Sequence, residues 1–319
     1  MMSCDSITIF RALADPTRLR IFHLLRAMEL SIGELAQVLG QSQPRVSRHV
    51  KILADAGLAE RRKEGSWVFL GLGSDSCVTP LFAAIDNWAG EGDDVWAVAD
   101  RARLAAVRAD RTAAAARYFA DHAEHWDAIR SLHVPESAVE QRILALLEDG
   151  TIGRMVDIGT GTGRMIELIG DRAASALGID RSPEMLRIAR AKLSEAGLGA
   201  ELRQGDMYAL PIADGAADLV LLHQVLHFAQ QPAAAIAESA RLLAAGGRLL
   251  IVDFASHELE ELRTRDAHVR LGFGDDQIRG WFHASGLRLD RVEELVGDVL
   301  TVKLWLGARA RPIQLKAAS

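Results

Sequence analysis

A glycine-rich turn in the second half of the chain strongly restricts what that half can fold into. A short apolar run ends in Val156-Asp157-Ile158, and Gly159, Gly161 and Gly163 follow it. Glycine permits a tight strand-to-helix turn and lets a ligand approach the main chain closely. A dinucleotide-binding turn would have another glycine at position 164, where Arg164 stands, so the pattern disfavours a pyrophosphate cofactor. We therefore predict a nucleoside-binding turn without a dinucleotide.

Apolar segments alternate with helical patterns from residue 154 onward, which is typical of an α/β doubly wound parallel sheet. The last two segments have no helix between them, so they predict an antiparallel hairpin at one edge of the sheet. The candidate strands are Arg154–Ile158, Ser175–Asp180, Ala200–Gln204, Asp218–Leu222, Gly247–Asp253, Arg288–Glu294 and Val299–Gly307.

Carboxylates follow the second and third candidate strands. Asp180 stands 21 positions beyond Gly159, where a carboxylate can accept both hydroxyls of a ribose. The fragments Gly178-Ile179-Asp180-Arg181-Ser182-Pro183 and Gly205-Asp206-Met207, together with the glycine turn, resemble three ordered motifs of class I S-adenosylmethionine-dependent methyltransferases (Rossmann-like fold). A fourth fragment, Leu243-Ala244-Ala245-Gly246-Gly247, resembles the start of that family's fifth strand, so the resemblance covers residues 154–254.

The resemblance implies S-adenosylmethionine or S-adenosylhomocysteine as the cofactor. It assigns Asp157 to the methionine amino group, Asp180 to the ribose, Asp206 to the adenine amine, and the backbone N–H of Met207 to the adenine ring. Upstream, residues 93–148 lack glycine and should be largely helical. Within them, Tyr118 and Trp126 resemble the aromatic lead-in that covers the cofactor in many small-molecule methyltransferases, and ordinary packing of these aromatics is the alternative.

The first 75 residues carry the signals of a helix-turn-helix. Asp15-Pro16 predicts the start of one helix, and Ser31 with Glu34 forms a capping box that starts the next. Gly40 ends that helix, and a third helix begins after Ser42, with Val46, Val50 and Leu53 on its inner face. The opposite, polar face of the third helix carries Gln43, Arg45, Ser47, Arg48 and Lys51, which we expect to contact DNA.

Two short extended runs around a glycine turn follow, at Leu58–Leu70, and they predict a wing. Its basic side chains, Arg61, Arg62 and Lys63, should contact the phosphate backbone. The stretch from Gln43 to Lys63 has six basic and two acidic residues, whereas the whole chain has a net charge of −6. The positive charge is therefore local, as expected for a DNA-binding surface. A winged helix that pairs protein with protein is the alternative.

The order of helices, caps and wing over about residues 6–90 resembles the ArsR family of bacterial repressors. The resemblance implies a homodimer on a double-stranded, palindromic operator. Many relatives hold a metal with Cys-x-Cys in the second helix, but this chain has Ser31 and Gly33 there, so we expect no metal site. The two cysteines, Cys4 and Cys77, have no spacing that suggests a disulfide.

We therefore expect three segments: 1–90 as a winged-helix DNA-binding and dimerisation domain, 91–150 as a helical connector, and 151–310 as a methyltransferase-like domain. No apolar leader and no apolar run long enough to span a membrane is present, so we expect a cytoplasmic protein.

Two functions fit this organisation. One is a transcriptional regulator whose operator affinity depends on the bound adenosyl ligand, and the other is a small-molecule methyltransferase that carries a DNA-binding module. For methyl transfer, His223 after the fourth strand is the candidate catalytic residue, whereas His227 is expected to pack or hydrogen-bond. Methylation of DNA bases is disfavoured, because neither an Asn/Asp-Pro-Pro-aromatic motif nor a cysteine nucleophile is present in this domain.

Overall fold

The computed structural model describes residues 5–64, 67–88, 95–123, 126, 135–148 and 152–310. The chain divides into two compact units, residues 1–114 and 115–319. The first unit is mainly helical. It contains α1 (Ser6–Leu13), α2 (Pro16–Ala27), α3 (Ile32–Leu39), α4 (Gln43–Asp55), α5 (Asp75–Trp88) and most of α6 (Val95–His122), with strands β1 (Leu30–Ser31), β2 (Ala59–Glu64) and β3 (Trp67–Leu72).

The helices of the first unit begin and end where local chemistry predicts. The Asp15 carboxylate accepts the Arg18 N–H at 3.0 Å, which caps α2. Ser31 and Glu34 make both hydrogen bonds of the capping box of α3. Gly40 ends α3 in the left-handed conformation, at φ 65°. These predicted boundaries are confirmed.

The helix-turn-helix and the wing are confirmed as well. Helix α4 buries Val46, Val50 and Leu53 completely in the apolar core of the first unit. Strands β2 and β3 pair antiparallel from Ala59↔Leu72 to Glu64↔Trp67, and β1 pairs with β3 on its other side. The predicted glycine turn between the two wing strands, at residues 65–66, lies outside the described residues.

Basic side chains of α6 hold the ends of α2 and α3. Arg103 Nη1 donates to the Val38 carbonyl at 3.0 Å, and Arg108 Nη2 donates to the Ala27 carbonyl at 2.8 Å. These carbonyls belong to the last turns of their helices, where partners within the helix are missing and positive charge is favoured. Asp100 of α6 forms two 2.7 Å hydrogen bonds with Arg20 of α2. Helix α6 is therefore an integral part of the helix-turn-helix unit.

The second unit is an α/β domain built on one seven-stranded sheet. Its helices, after the last turns of α6, are α7 (Glu136–Leu146), α8 (Arg164–Ile169), α9 (Pro183–Glu195), α10 (Pro232–Leu242), α11 (Glu261–Arg265) and α12 (Asp275–Ala284). Its strands are β4 (Ile152–Ile158), β5 (Ala173–Asp180), β6 (Glu201–Gln204), β7 (Ala217–His223), β8 (Leu243–Phe254), β9 (Leu287–Val296) and β10 (Thr301–Arg309).

The strand order is β6-β5-β4-β7-β8-β10-β9. The first five strands in this order are parallel, and β10 runs antiparallel to both of its neighbours. The predicted terminal hairpin is thus confirmed, although its second strand lies inside the sheet and its first strand forms the edge. The carboxyl ends of β4, β5, β7 and β8 meet at the same side of the sheet, which brings together the residues that follow them.

The strand bounds differ from the predicted ones by one or a few residues, and two differences bear on the fold. Strand β8 begins at Leu243, four residues before the predicted start, because Leu243 pairs with Ala217 ahead of a shift in register. Cys77 in α5 is disulfide-bonded, which the cysteine spacing does not suggest.

Candidate functional site

The predicted nucleoside-binding turn joins β4 to α8, and its shape depends on its glycines. Gly159, Gly161 and Gly163 all have positive φ angles, of 71°, 54° and 85°. A Cβ atom at Gly159 would lie 2.3 Å from Cγ2 of Val225, so no larger residue fits there. The turn therefore presents bare main chain at the carboxyl edge of the sheet, as close approach of a ligand requires.

The buried Asp157 stabilises this turn through a hydrogen bond with one of its residues. Its carboxylate is 1% exposed and accepts the Thr160 hydroxyl at 2.7 Å. The main-chain N–H groups of Gly159 and Thr160 both donate to the Ile179 carbonyl of β5, at 2.7 and 2.9 Å. The first strand, the turn and the second strand are thus fastened to one another beside the predicted cofactor position.

Asp180, at the end of β5, faces the same turn. Its Oδ2 accepts the Gly161 N–H and its Oδ1 accepts the Ser182 N–H, each at 2.8 Å. Burial raises the pKa of this carboxyl group, although backbone N–H donors act in the opposite direction. The Arg181 N–H is a third backbone donor to this carboxylate. Backbone N–H groups therefore occupy part of its acceptor capacity, and the rest remains for a ligand, because each carboxylate oxygen can accept two hydrogen bonds.

The remaining predicted cofactor residues of the sheet edge follow β5 and β6. Asp206 is exposed, and its Oδ1 accepts the Tyr208 N–H at 3.1 Å in a tight turn. Met207 is half-buried and packs against the apolar layer on one face of the sheet. The exposed Arg181 contributes its main-chain carbonyl, which accepts from the side chain of Gln204 at 3.0 Å.

The predicted aromatic residues Tyr118 and Trp126 form a cluster in the second unit. The indole of Trp126 lies against the glycine turn, because a Cβ atom at Gly161 would be 3.6 Å from its Nε1. Tyr118 stacks on His122 with ring centroids 4.3 Å apart, and its ring lies 6.4 Å from Trp126. Burial and the nearby Asp266 raise the pKa of Tyr118 to about 12. Residues 124, 125 and 127 of the predicted cofactor cover lie outside the described residues.

Arg164, which distinguishes the turn from a dinucleotide-binding one, has a structural partner. Its guanidinium makes a bidentate contact with Glu140 of α7, at 2.6 and 2.9 Å, and a further bond to Glu167 at 2.8 Å. The glycine turn is therefore tied to α7 by an arginine fork that glycine could not provide. The departure from the glycine pattern is visible in the sequence, but the partner is not, because Glu140 lies 24 positions upstream.

His223, the predicted catalytic residue, ends β7 and is 7% exposed. A second histidine, His227, lies four residues further along the chain and is paired with a carboxylate. His227 is 3% exposed, and its Nδ1 lies 2.8 Å from Oδ1 of Asp253, which is the penultimate residue of β8 and is fully buried. The His227 main-chain N–H also donates to Asp253 Oδ2, at 3.1 Å. The expectation that His227 hydrogen-bonds is confirmed, but the carboxylate partner was missed.

The polar face predicted to read DNA is exposed on α4. Gln43, Arg45, Arg48 and Lys51 are exposed and Ser47 is half-buried, opposite the buried stripe. In the wing, Arg61 and Lys63 are exposed, but Arg62 is bound to Glu29, with Nη2 2.9 Å from the carboxylate. Arg61 and Lys63 therefore remain predicted wing contacts, whereas Arg62 has a partner within the protein.

Among the described residues, no group of three or more His, Cys, Asp or Glu side chains is arranged to hold a metal ion. The described helices include none that is both long enough and apolar enough to span a bilayer.

Comparison with known proteins agrees with this two-part organisation. A helix-turn-helix domain model matches residues 13–62, and a methyltransferase domain model matches residues 156–251. The chain belongs to the ArsR family of helix-turn-helix regulators through its N-terminal domain, and this domain is fused to a class I methyltransferase domain.

The arsenical resistance operon repressor of Escherichia coli is one relative of the N-terminal part. It is 43% identical over 96 residues, which cover 29% of this chain and 80% of the repressor. The demethylmenaquinone methyltransferase of Thermus thermophilus is 38% identical over 103 residues of the C-terminal part, or 32% of this chain. The chain spans about half the length of that methyltransferase, 47%.

A solved S-adenosylmethionine-dependent methyltransferase from Mesorhizobium loti is similar in structure, with 19% identity and a TM-score of 0.46. The match covers 53% of this chain and 96% of that one. The methyltransferase domain implies binding of S-adenosylmethionine or S-adenosylhomocysteine, and the helix-turn-helix domain implies binding of DNA.

Proposed function

We propose that this protein is a homodimeric cytoplasmic transcriptional regulator whose operator affinity is coupled to S-adenosylmethionine or S-adenosylhomocysteine. The observation that carries this proposal is helix α6, an unbroken helix from Val95 to His122. Its first part holds the helix-turn-helix, and its last part carries Tyr118, which belongs to the aromatic cluster beside the glycine turn. One helix thus contributes to both predicted binding sites.

The residues of the second unit fit an adenosyl ligand. The bare main chain of the glycine turn suits the methionine part, and the acceptor capacity left on the Asp180 carboxylate suits the ribose. Asp206 and Met207 would bind the adenine. The two ligand forms differ by one methyl group and one positive charge. Aromatic faces such as those of Tyr118 and Trp126 attract a cation, so they can favour one form over the other.

Contacts of α6 within the first unit would connect ligand binding to the DNA-reading helix. Arg103 holds the last turn of α3, and α3 leads through Gly40 into the DNA-reading helix α4. A ligand-dependent shift of α6 would therefore bear on the turn that sets the position of Arg45 and Arg48. Linkage requires that operator and ligand change each other's affinity by the same factor, typically about 5- to 150-fold.

The test is a titration of a labelled operator, selected by the protein from random duplex DNA, at fixed salt. We expect different operator affinities with S-adenosylmethionine, with S-adenosylhomocysteine and without ligand. Replacement Arg103→Gln should keep operator and ligand binding but reduce the difference among the three conditions. Arg117→Gln, an exposed position on the same helix, is the matched control. Equal operator affinity of the wild-type protein in all three conditions would exclude the coupling.

The second candidate function is a small-molecule methyltransferase that carries a DNA-binding module. The specific observation in its favour is the buried pair of His227 and Asp253 at the carboxyl edge of the sheet. A regulator that only senses its ligand has no need of a base at that position. Turnover and sensing can also coexist, because a methyl transfer would convert one ligand form into the other.

A further inference from the structure

We propose that His227, oriented by Asp253, accepts the proton of a hydroxyl-bearing methyl acceptor that binds beside the glycine turn. This inference rests on the cofactor-binding part of the proposed function and not on the coupling to DNA.

The hydrogen bonds of the pair select one protonation form of the imidazole. An ionised carboxylate is an acceptor only, so the 2.8 Å contact with Asp253 requires the hydrogen of His227 on Nδ1. Asp253 is itself held, since its Oδ1 also accepts the Phe254 N–H at 2.8 Å and its Oδ2 accepts the His227 N–H. Nε2 then carries a lone pair and is the ring nitrogen that can accept a proton. A histidine in this state is a positioned base.

The surroundings of His227 lead to the predicted cofactor position. Its ring centroid lies 4.0 Å from that of Phe228, and Phe228 lies 6.0 Å from Trp126, the residue over Gly161. His268 and Phe254 close the other sides, with ring centroids 4.2 and 5.1 Å from that of His227. This aromatic environment suits a planar, largely apolar acceptor such as a phenol, whose ring would pack among these rings.

The chemistry explains why a base would be needed. When bound, the cofactor supplies a methyl group on a sulfonium that is already a good leaving group. The O–H bond of the acceptor breaks and its proton passes to His227 Nε2. The oxygen forms a bond to the methyl carbon, and the carbon–sulfur bond breaks with its electron pair on sulfur. Asp253 stabilises the imidazolium until the proton is lost to water. A thiol acceptor would need this help less, because it ionises near neutral pH unaided.

The first test is ¹⁵N NMR of histidine side chains in the full-length protein with S-adenosylhomocysteine at neutral pH. We expect His227 to carry its hydrogen on Nδ1, and addition of the probe phenol, which stays protonated at this pH, to shift the Nε2 signal. The exposed His283 on α12 is the control and should not respond. A hydrogen on Nε2, or a His227 signal that the phenol leaves unchanged, would overturn the proposal.

Two substitutions to asparagine test whether His227 acts as a base or only contributes to the stability of the fold. Asn in His227→Asn can still donate a hydrogen bond to Asp253, so the fold should survive without the base. Asp253→Asn can donate to Nδ1 and so moves the imidazole hydrogen to Nε2. Both variants should keep wild-type affinity for S-adenosylhomocysteine and wild-type response of operator binding to ligand. Transfer of labelled methyl groups to phenolic acceptors should fall about 10²- to 10⁴-fold.

The outcomes are separable from those of the proposed function. If both variants transfer methyl groups as fast as the wild type, the base assignment is wrong and the regulator proposal stands. If neither the wild type nor the variants change operator affinity on ligand binding, the coupling fails, and the NMR and methyl-transfer results still decide the base assignment.

Discussion

Asp180 offers the sharpest test of the cofactor site, because one carboxylate is expected to serve both the fold and the ligand. The replacement Asp180→Asn keeps the size of the side chain and exchanges one acceptor oxygen for an amide that only donates. That amide would face either the Gly161 N–H or the Ser182 N–H, both of which now donate to the carboxylate at 2.8 Å. One ribose hydroxyl would lose its charged acceptor and the other would keep a neutral one.

The magnitude follows from these changes. A hydrogen bond to a charged group is worth about 1.5–3 kcal/mol and a neutral one about 0.5–1.5 kcal/mol. Losing the first and weakening the second should reduce the affinity for S-adenosylhomocysteine by about 2–4 kcal/mol, or roughly 30- to 700-fold.

The stability of the free protein should change much less than the ligand affinity. The unpaired N–H group destabilises the variant, but the buried charge is removed as well. Burial raises the pKa of Asp180, so its ionised form destabilises the native state increasingly as pH rises through that pKa. The two effects have opposite signs at neutral pH.

Isothermal titration calorimetry with S-adenosylhomocysteine measures the affinity, and urea unfolding measures the stability. Asp171→Asn is the matched control, because Asp171 is an exposed aspartate in the same unit and should leave both quantities unchanged. An affinity of Asp180→Asn within threefold of the wild type would show that Asp180 does not hold the ribose. A loss of affinity that only accompanies unfolding would equally refute the reasoning.

Two further predictions concern DNA and the tyrosines. Arg48→Ala should weaken binding to the operator more than to random duplex, whereas Arg61→Ala in the wing should weaken both and lower the log–log salt slope by about 1. Arg62→Ala should change the slope less, because this side chain is already paired within the protein, and a full unit of slope lost there would contradict its assignment. Burial raises the pKa of both tyrosines, and it raises that of Tyr118 to about 12. The contribution of Tyr118 to the free energy of unfolding is therefore complete below pH ~10 and is lost as pH rises toward 12. Tyr208 contributes in the same direction, and absorbance at 295 nm should show tyrosinate near pH 10 only in the unfolded protein.

The sequence was sufficient for features that depend on a few neighbouring residues. The capping box of Ser31 and Glu34 and the end of α3 at Gly40 are determined by backbone angles and hydrogen bonds within about four positions. The glycines of the turn after β4 likewise mark the positions with positive φ angles. The alternation of apolar strands and helices was enough to predict the parallel sheet and its terminal hairpin. These features carry both domain resemblances, and the structure and the relatives confirm them.

The position of the last strand was not predictable in this way. Strand β10 lies between β8 and β9. The last strand in the sequence is therefore inside the sheet, and β9 forms the edge. A hairpin pattern determines that two strands pair but not which of them meets the rest of the sheet. That choice depends on which face and edge bury more apolar surface in the assembled domain.

Only the tertiary structure decided which polar side chains meet. His227 and Asp253 are 26 positions apart, and Arg62 and Glu29 are 33 positions apart. No local sequence pattern predicts such pairs. Their interaction free energy depends on burial and on side-chain geometry, which are set only when the helices and strands have packed. For that reason the sequence indicated the glycine turn and Asp180 as a ligand site, but it favoured His223 over His227 and assigned Arg62 to DNA. The partner of His227, Asp253, and the partner of Arg62, Glu29, became visible only in the folded structure.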